Sequence, residues 1–373
     1  MIDACEACLR RTELIAWLAG RIDQAWRLRR GRPQLLALPD AELLTWAKDA
    51  DAERRYAAFA PELVVDRLLA AGLGALCRCS PAYPDGLREL PDPPAVVHTA
   101  GDLGLLAGDR VAVVGARDPT PYGLELARAL ARGLGAAGVT VVSGMAMGVD
   151  SVAHAGALES GRTVAVLATG ADRPYPARAR QLHRRIAAPG CVVSELPPGF
   201  APRRWAFPAR NRLIAALSAG TVVVEGGERS GSLITADFAA ELGRFVGAVP
   251  GPVTSRMSAG PHMLLKAGAE LIRGPEDVLD LLHGAGAGSR ATDPVVVGAG
   301  PRPLAPRPAP APAPPDLPPG LSRLLDQVER GQGSLAELVS DPARGFAVSR
   351  DLGELELRGL IRRVAGGRYI RSA

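Results

Sequence analysis

Aromatic residues are scarce, at 4% of 373 positions, and lysine is nearly absent: of 44 basic residues only Lys48 and Lys266 are lysines. Hydrophobic residues still make up 47% of the chain, so Ala, Val and Leu must supply the core, which favours helices and buried parallel strands. Cysteine is few and odd in number, five, which excludes a disulfide framework and points to a reducing compartment. Nothing between the C-x-x-C pair Cys5 and Cys8 and the C-x-C pair Cys77 and Cys79 resembles a finger or ribbon, so these read as unrelated helix-face and loop thiols, with no metal or other cofactor expected. No apolar run approaches the ~20 residues of a membrane helix. Met1 to Arg11 carry acids and cysteines where a signal peptide has a basic and then an apolar segment. The expectation is a cytoplasmic protein without a membrane partner. Nor is the charge extreme: a net +5 permits an anionic partner without identifying one.

What is present divides along the chain, whose length exceeds that of a single core and predicts two or three domains. From Glu6 to about Ala75 the apolar spacing is helical (Leu9, Leu14, Ile15, Leu18, then Leu43, Leu44, Trp46, then Leu63, Val64, Leu68) and predicts a small helical domain. Six short runs follow: Val111–Val114, Val139–Val142, Thr163–Leu167, Cys191–Val193, Thr221–Val224 and Phe245–Val249. Each is apolar on both faces and they alternate with helical stretches, which predicts a doubly wound α/β sheet with ligands beyond its carboxyl strand ends. Between Pro301 and Pro319 proline alternates mostly with alanine or arginine, a semi-rigid spacer. Three short helical runs after it (Leu321–Gln327, Ser334–Val339, Val348–Leu360) and a hairpin over Ile361–Ile370 turning at Gly366-Gly367 suggest a winged helix.

Three small-residue loops fall at predicted strand ends. The first is Gly115-Ala116-Arg117, which lacks the G-x-G-x-x-G of a dinucleotide site. The second is Ser143-Gly144-Met145-Ala146-Met147-Gly148, and the third is Glu225 to Ser232 with Thr235 beyond it. Exposed backbone N–H groups at helix starts make such loops anion-sized, and together they would line one rim. Arg203-Arg204-Trp205-Ala206-Phe207-Pro208-Ala209-Arg210-Asn211-Arg212 sets guanidinium forks among aromatic faces, the combination with which single-strand binders hold phosphates and unpaired bases. Asp150 and His154, one helical turn apart, have no third ligand in view and read as a cap and a packed histidine.

At these residues the chain closely resembles the DprA/Smf family of DNA-processing proteins. The stretches that carry the resemblance are Ser80-Pro-Ala-Tyr-Pro through Asp92-Pro-Pro, Gly115-Ala-Arg117, Ser143-Gly to Gly148-Val-Asp150 with Ala153-His154, Tyr175-Pro176, Ser194-Glu-Leu-Pro-Pro-Gly199, Phe207-Pro-Ala-Arg-Asn-Arg212 and Glu228-Arg-Ser-Gly-Ser-Leu-Ile-Thr235. The resemblance implies a small helical (SAM-like) domain over 1–78, an extended Rossmann-like DNA-binding domain over 79–288, a Pro/Ala-rich linker over 289–320 and a winged-helix domain over 321–373. It implies single-stranded DNA as ligand, a homodimer, delivery of the recombinase RecA in DNA uptake or recombination, and no catalysis. Arg117 matches a basic family position, Arg210, Asn211 and Arg212 match its R-N-R element, and Arg180 falls where relatives often have lysine. The chain departs at Met147, where many relatives are basic, and at Ala179, where many have asparagine.

The expected DNA-binding set is therefore Arg117, Ser143, Gly144, Arg180, Phe207, Arg210, Asn211, Arg212, Ser230, Gly231, Ser232 and Thr235, with N–H groups at Gly144 and Gly231 on phosphates and bases on Trp205 or Phe207. Two rivals remain. The sheet and its glycine loops also resemble nucleotide phosphoribohydrolases, whose P-G-G-x-G-T-x-x-E glutamate would fall at Thr235; a hydroxyl cannot do a carboxylate's work, which leaves Glu225 or Glu228 to supply it. The other is a transcription factor acting through the winged tail.

Overall fold

The computed structural model describes residues 1–27, 33–284, 317–329, 338, 345–358, 360–363 and 369–371. The chain divides into two compact units, Met1–Val295 and Val296–Ala373.

The first unit is built on a ten-stranded sheet in the order β1 (Ile2–Asp3), β2 (Gly74–Cys77), β3 (Val96–Gly101), β7 (Cys191–Ser194), β6 (Thr163–Val166), β5 (Thr140–Ser143), β4 (Arg110–Gly115), β8 (Gly220–Val224), β9 (Phe245–Ala248) and β10 (Glu270–Leu271). β3 runs antiparallel to both neighbours, β2 and β7, and every other pairing is parallel. All six expected strands are present, in the order β7-β6-β5-β4-β8-β9, and β1, β2, β3 and β10 extend them.

Period-two alternation sorts the side chains of these strands between two cores. Ala112 and Val114 of β4 point to one face with Val223, Val164 and Val193, where Leu213 and Ile214 of the helix Ala206–Ala216 cover them. Val111 and Val113 point to the other with Val222 and Val224, beneath the helices Pro121–Ala136, Val149–Ala157 and Pro275–His283. Double coverage explains why the strands read as apolar throughout. Crowding also selects glycine: a Cβ on Gly115 would lie 1.9 Å from the Val224 carbonyl oxygen, and Gly148 combines φ 78° with the Ala116 carbonyl 2.3 Å from its would-be Cβ.

The amino-terminal residues are helical as expected, with Glu6–Trp17, Ala19–Arg27, Asp40–Ala47, Ala50–Ala57 and Pro61–Ala70, yet Ile2–Asp3 and Gly74–Cys77 at their two ends are strands of the large sheet. Leu14, Leu18, Ile22 and Leu43 pack with Trp205, Ala206 and Ala209, so these helices rest on the start of the helix Ala206–Ala216. In the second unit, the helices Pro319–Glu329 and Gly345–Leu357 share an apolar cluster with Leu338 and Ile361, and β11 (Ile361–Arg363) pairs antiparallel with β12 (Tyr369–Arg371). Apart from Leu338, the expected helix Ser334–Val339 lies outside the described residues, as do the Gly366-Gly367 turn and most of the 289–320 linker. No helix among the described residues is long and apolar enough to cross a membrane.

Candidate functional site

The sheet order reverses at β4: the next strand, β5, lies on one side, and β8 returns to the other. Loops leaving such a switch point diverge to opposite faces and open a crevice. A cleft of about 550 Å³ opens there, lined by Arg117 and Asp118 after β4, Ala146 and Asp150 after β5, Arg229 to Ser232, Ile234 and Thr235 after β8, and Phe207, Arg210 and Asn211 from the helix Ala206–Ala216. A smaller recess shares Arg117, Ala146, Phe207 and Arg210 and adds Met147, Tyr175 and Pro176.

The three small-residue loops thus meet on one rim. Arg117 is exposed, with its guanidinium carbon 5.9 Å from the centre of the Phe207 ring. Phe207 lies 5.3 Å from the ring of Tyr175, which is itself exposed. Ser230 caps the helix Gly231–Glu241: its hydroxyl accepts from the Ser232 N–H and lies 2.7 Å from the Ser232 hydroxyl. Gly231 is exposed in that first turn, where the helix end carries partial positive charge. Asn211 donates from Nδ2 to the Gly231 carbonyl at 3.1 Å, joining the middle of the helix Ala206–Ala216 to the start of the helix Gly231–Glu241. Thr235 is buried in the cleft lining. Arg229, Tyr175 and Met147 reach the rim although none was singled out as a ligand contact; the aligned loops give their neighbourhood but not their exposure.

Several expected contacts are engaged elsewhere. Arg212 is buried and held by two carboxylates: Nε donates to Asp92 at 2.9 Å, Nη2 to Glu195 at 2.7 Å and Nη1 to Glu195 at 3.2 Å. Burial opposes its charge, but Glu195 and Asp92 outweigh that and hold its pKa above the ordinary value. Arg210 and Arg212 sit two positions apart on one helix, and residues so spaced do not face each other. Arg210 is also buried; it donates from Nη1 to the carbonyls of Gly144, at 2.6 Å, and Val166, clamping the ends of β5 and β6. Burial, countered by Asp150 and reinforced by Arg117, brings its pKa down to about 10. Ser143 is buried, donating to the Val113 carbonyl at 2.7 Å, and the Gly144 N–H is given to Asp150 at 3.1 Å, so neither is open to a phosphate. Trp205 is buried in the helical cluster against Phe200, which leaves Phe207 as the stacking face of that pair. Arg180 starts the helix Arg180–Ala187, exposed but outside both the cleft and the recess.

Asp150 and His154 do not share a ligand. Asp150 accepts from Gly144 and Ala146, capping the loop before its helix, while Nδ1 of His154 lies 2.7 Å from the Thr163 hydroxyl. Burial, with Arg210 adding, holds the imidazole neutral down to about 3. Glu225 is buried, accepting from the Thr120 N–H at 2.7 Å and the Thr120 hydroxyl at 2.6 Å, and so secures the start of the helix Pro121–Ala136. The cysteines overturn the reading of unrelated thiols: the sulfurs of Cys5, Cys8, Cys77 and Cys79 all lie within 4.8 Å of one another.

The sequence profile of the family described as DNA recombination-mediator protein A matches residues 74–283. DNA processing protein DprA of Bacillus subtilis is 41% identical over 230 residues, 60% of this chain and 77% of that protein. The crystal structure of DprA from Streptococcus pneumoniae covers 73% of this chain and 95% of its own, at 32% identity and TM-score 0.60. A structure of DprA from Helicobacter pylori, described as showing a single-stranded DNA binding mode, covers 56% of this chain and 95% of its own, at 32% identity and TM-score 0.52.

Proposed function

The chain belongs to the DNA recombination-mediator protein A family of DNA-processing proteins, and from that premise we propose that it binds single-stranded DNA across the cleft at the ends of β4, β5 and β8. One observation carries this reading: exposed Arg117 stands over Phe207 at the mouth of a cleft whose opposite wall is the start of the helix Gly231–Glu241. Guanidinium, ring face and helix start suit the phosphates and unstacked bases of a single strand. In this reading Arg117, Arg229 and the Ser230-Gly231-Ser232 turn hold phosphates, and Phe207 with Tyr175 stacks a base. Arg210, Asn211, Arg212, Ser143, Gly144 and Thr235 shape and brace the rim. The Helicobacter pylori relative supports the ligand by its described binding mode.

The protein acts here as a mediator without catalysis: Glu225 is committed to Thr120 and Thr235 stands where the phosphoribohydrolases need a carboxylate. It works as a cytoplasmic homodimer that delivers RecA onto the strand, a role the family's description as a recombination mediator supports. Its domains follow the 1–78, 79–288, 289–320 and 321–373 division, the last a winged helix; the two described helices and the β11–β12 pair support that assignment.

The test is fluorescence anisotropy of a labelled single strand and its matched duplex across a salt series, with Arg117→Ala plus Arg229→Ala beside the wild type. The expected result is single-strand preference, affinity that falls steeply with salt, and a log–log salt slope shallower by about two in the double variant, about one for each phosphate left without its arginine. A wild type indifferent to single strands refutes the proposal and turns attention to nucleotide hydrolysis, with exposed Glu228 as the free carboxylate of the pair.

A further inference from the structure

Four cysteine thiols converge at the β1 edge of the sheet, away from the strands that form the cleft. Backbone pairing brings them there. β1 runs parallel to β2 with Asp3 opposite Leu76, so the chain leaving β1 carries Cys5 past the end of β2, one position beyond the level of Cys77. The Cys5 N–H points at the Cys77 sulfur at 3.4 Å across a separation of 72 residues. Cys8 lies in the first turn of the helix Glu6–Trp17, and its sulfur is 3.8 Å from that of Cys79. The Ser80 hydroxyl donates to the Asp3 carboxylate and ties the two cysteine-bearing segments together once more.

We propose that Cys5, Cys8, Cys77 and Cys79 bind one zinc ion as a closed tetrahedral tetrathiolate site that fastens the first helix to the edge of the sheet. A tetrahedron with Zn–S bonds of ~2.3 Å has edges of about 3.8 Å, the separation of Cys8 and Cys79, and all six sulfur pairs fall within 4.8 Å. Iron–sulfur clusters need their four thiolates spread around a larger body than this spacing admits. A disulfide requires sulfurs ~2.05 Å apart, and all four cysteines are free thiols here. With four protein ligands no position stays open for a substrate, so the site is structural.

The surroundings suit a metal–thiolate centre. The Cys5 N–H aimed at the Cys77 sulfur is the kind of outer contact that orients and steadies a thiolate ligand. A bound dication displaces the thiol protons, which leave to solvent as the metal binds. Cys8 and Cys77 are buried, whereas Cys5 and Cys79 are exposed and give the ion a path of entry.

The experiment is elemental analysis of the full chain expressed with zinc in the medium and desalted, followed by exchange of the bound metal for cobalt. The expected result is one zinc per chain and, with cobalt, the intense sulfur-to-metal charge-transfer bands of a tetrahedral tetrathiolate. Cys5→Ser plus Cys79→Ser, at the two exposed positions, should abolish both signals, and a chelator should lower the melting midpoint of the wild type but not of that variant. Cys191→Ala, outside the cluster, should keep the full zinc content. Should the double variant fail to fold, the cobalt spectrum of the wild type decides. Zinc-free protein with four titratable thiols, two disulfides by mass, or iron in place of zinc would each overturn the assignment.

Discussion

Arg210 and Arg212 show how little residue type says about residue role. Both belong to the R-N-R element, and a basic, aromatic-flanked run suggests phosphate contact for each. The difference is where the helix turns them: Arg212 toward Asp92 and Glu195, Arg210 toward the Gly144 and Val166 carbonyls. Removing the Arg212 side chain strands two carboxylates in the interior, where broken buried pairs cost about 3–5 kcal/mol. Arg212→Ala should therefore lower the unfolding free energy obtained from urea titration by an amount of that order, while exposed Arg117→Ala leaves it unchanged and weakens DNA binding alone. A binding defect in Arg212→Ala at full stability would show that the guanidinium touches DNA after all. Asp92 lies 120 residues from Arg212, and no local pattern in the sequence announces that they meet.

At the scale of elements, strands buried on both faces declared themselves: β4 to β9 are β-branched, short and evenly interleaved with helices. β3 did not, because Val96–Gly101 follows a proline-rich stretch, and β1, two residues long, is too short for any periodicity. That gap hid the cysteine cluster, since the β1–β2 pairing is what brings Cys5 beside Cys77. The helix Val149–Ala157 carries a second expectation through His154. Folded, burial keeps this imidazole neutral to about 3; unfolded, it takes a proton near 6.5. Unfolding thus takes up one proton between those values, so His154 costs stability as pH falls through that window, at up to about 1.4 kcal/mol per pH unit, and adds no slope above it. His154→Asn should flatten the dependence of unfolding free energy on pH by that amount relative to wild type. Identical slopes between pH 6 and 4 would mean that the ring titrates normally in the fold.

For the whole molecule, the relevant quantity is how many sites one strand can reach. A single cleft with two exposed arginines offers modest affinity, whereas two clefts in the proposed homodimer would raise it by effective concentration alone, typically ~10² to 10⁴-fold where geometry permits. Anisotropy with oligonucleotides of increasing length should show a step in affinity once a strand spans both clefts. A smooth rise in proportion to length would indicate independent sites instead. The doubly wound class of the sheet and the place of the cleft beyond its carboxyl strand ends followed from strand–helix alternation and the switch-point rule; the strand order did not. The partner surfaces did not, because they depend on side chains scattered over distant segments.

The helix Ala206–Ala216 reaches, through two guanidiniums, chain segments 44, 66 and 120 residues earlier. Such contacts close long loops and reward the chain only after the strands they join are already aligned. Docking of this helix is therefore expected to fall late in folding, so that Arg212→Ala speeds unfolding more than it slows refolding, and the residues that brace the rim of the cleft would govern how long the native state lasts more than how fast it is reached.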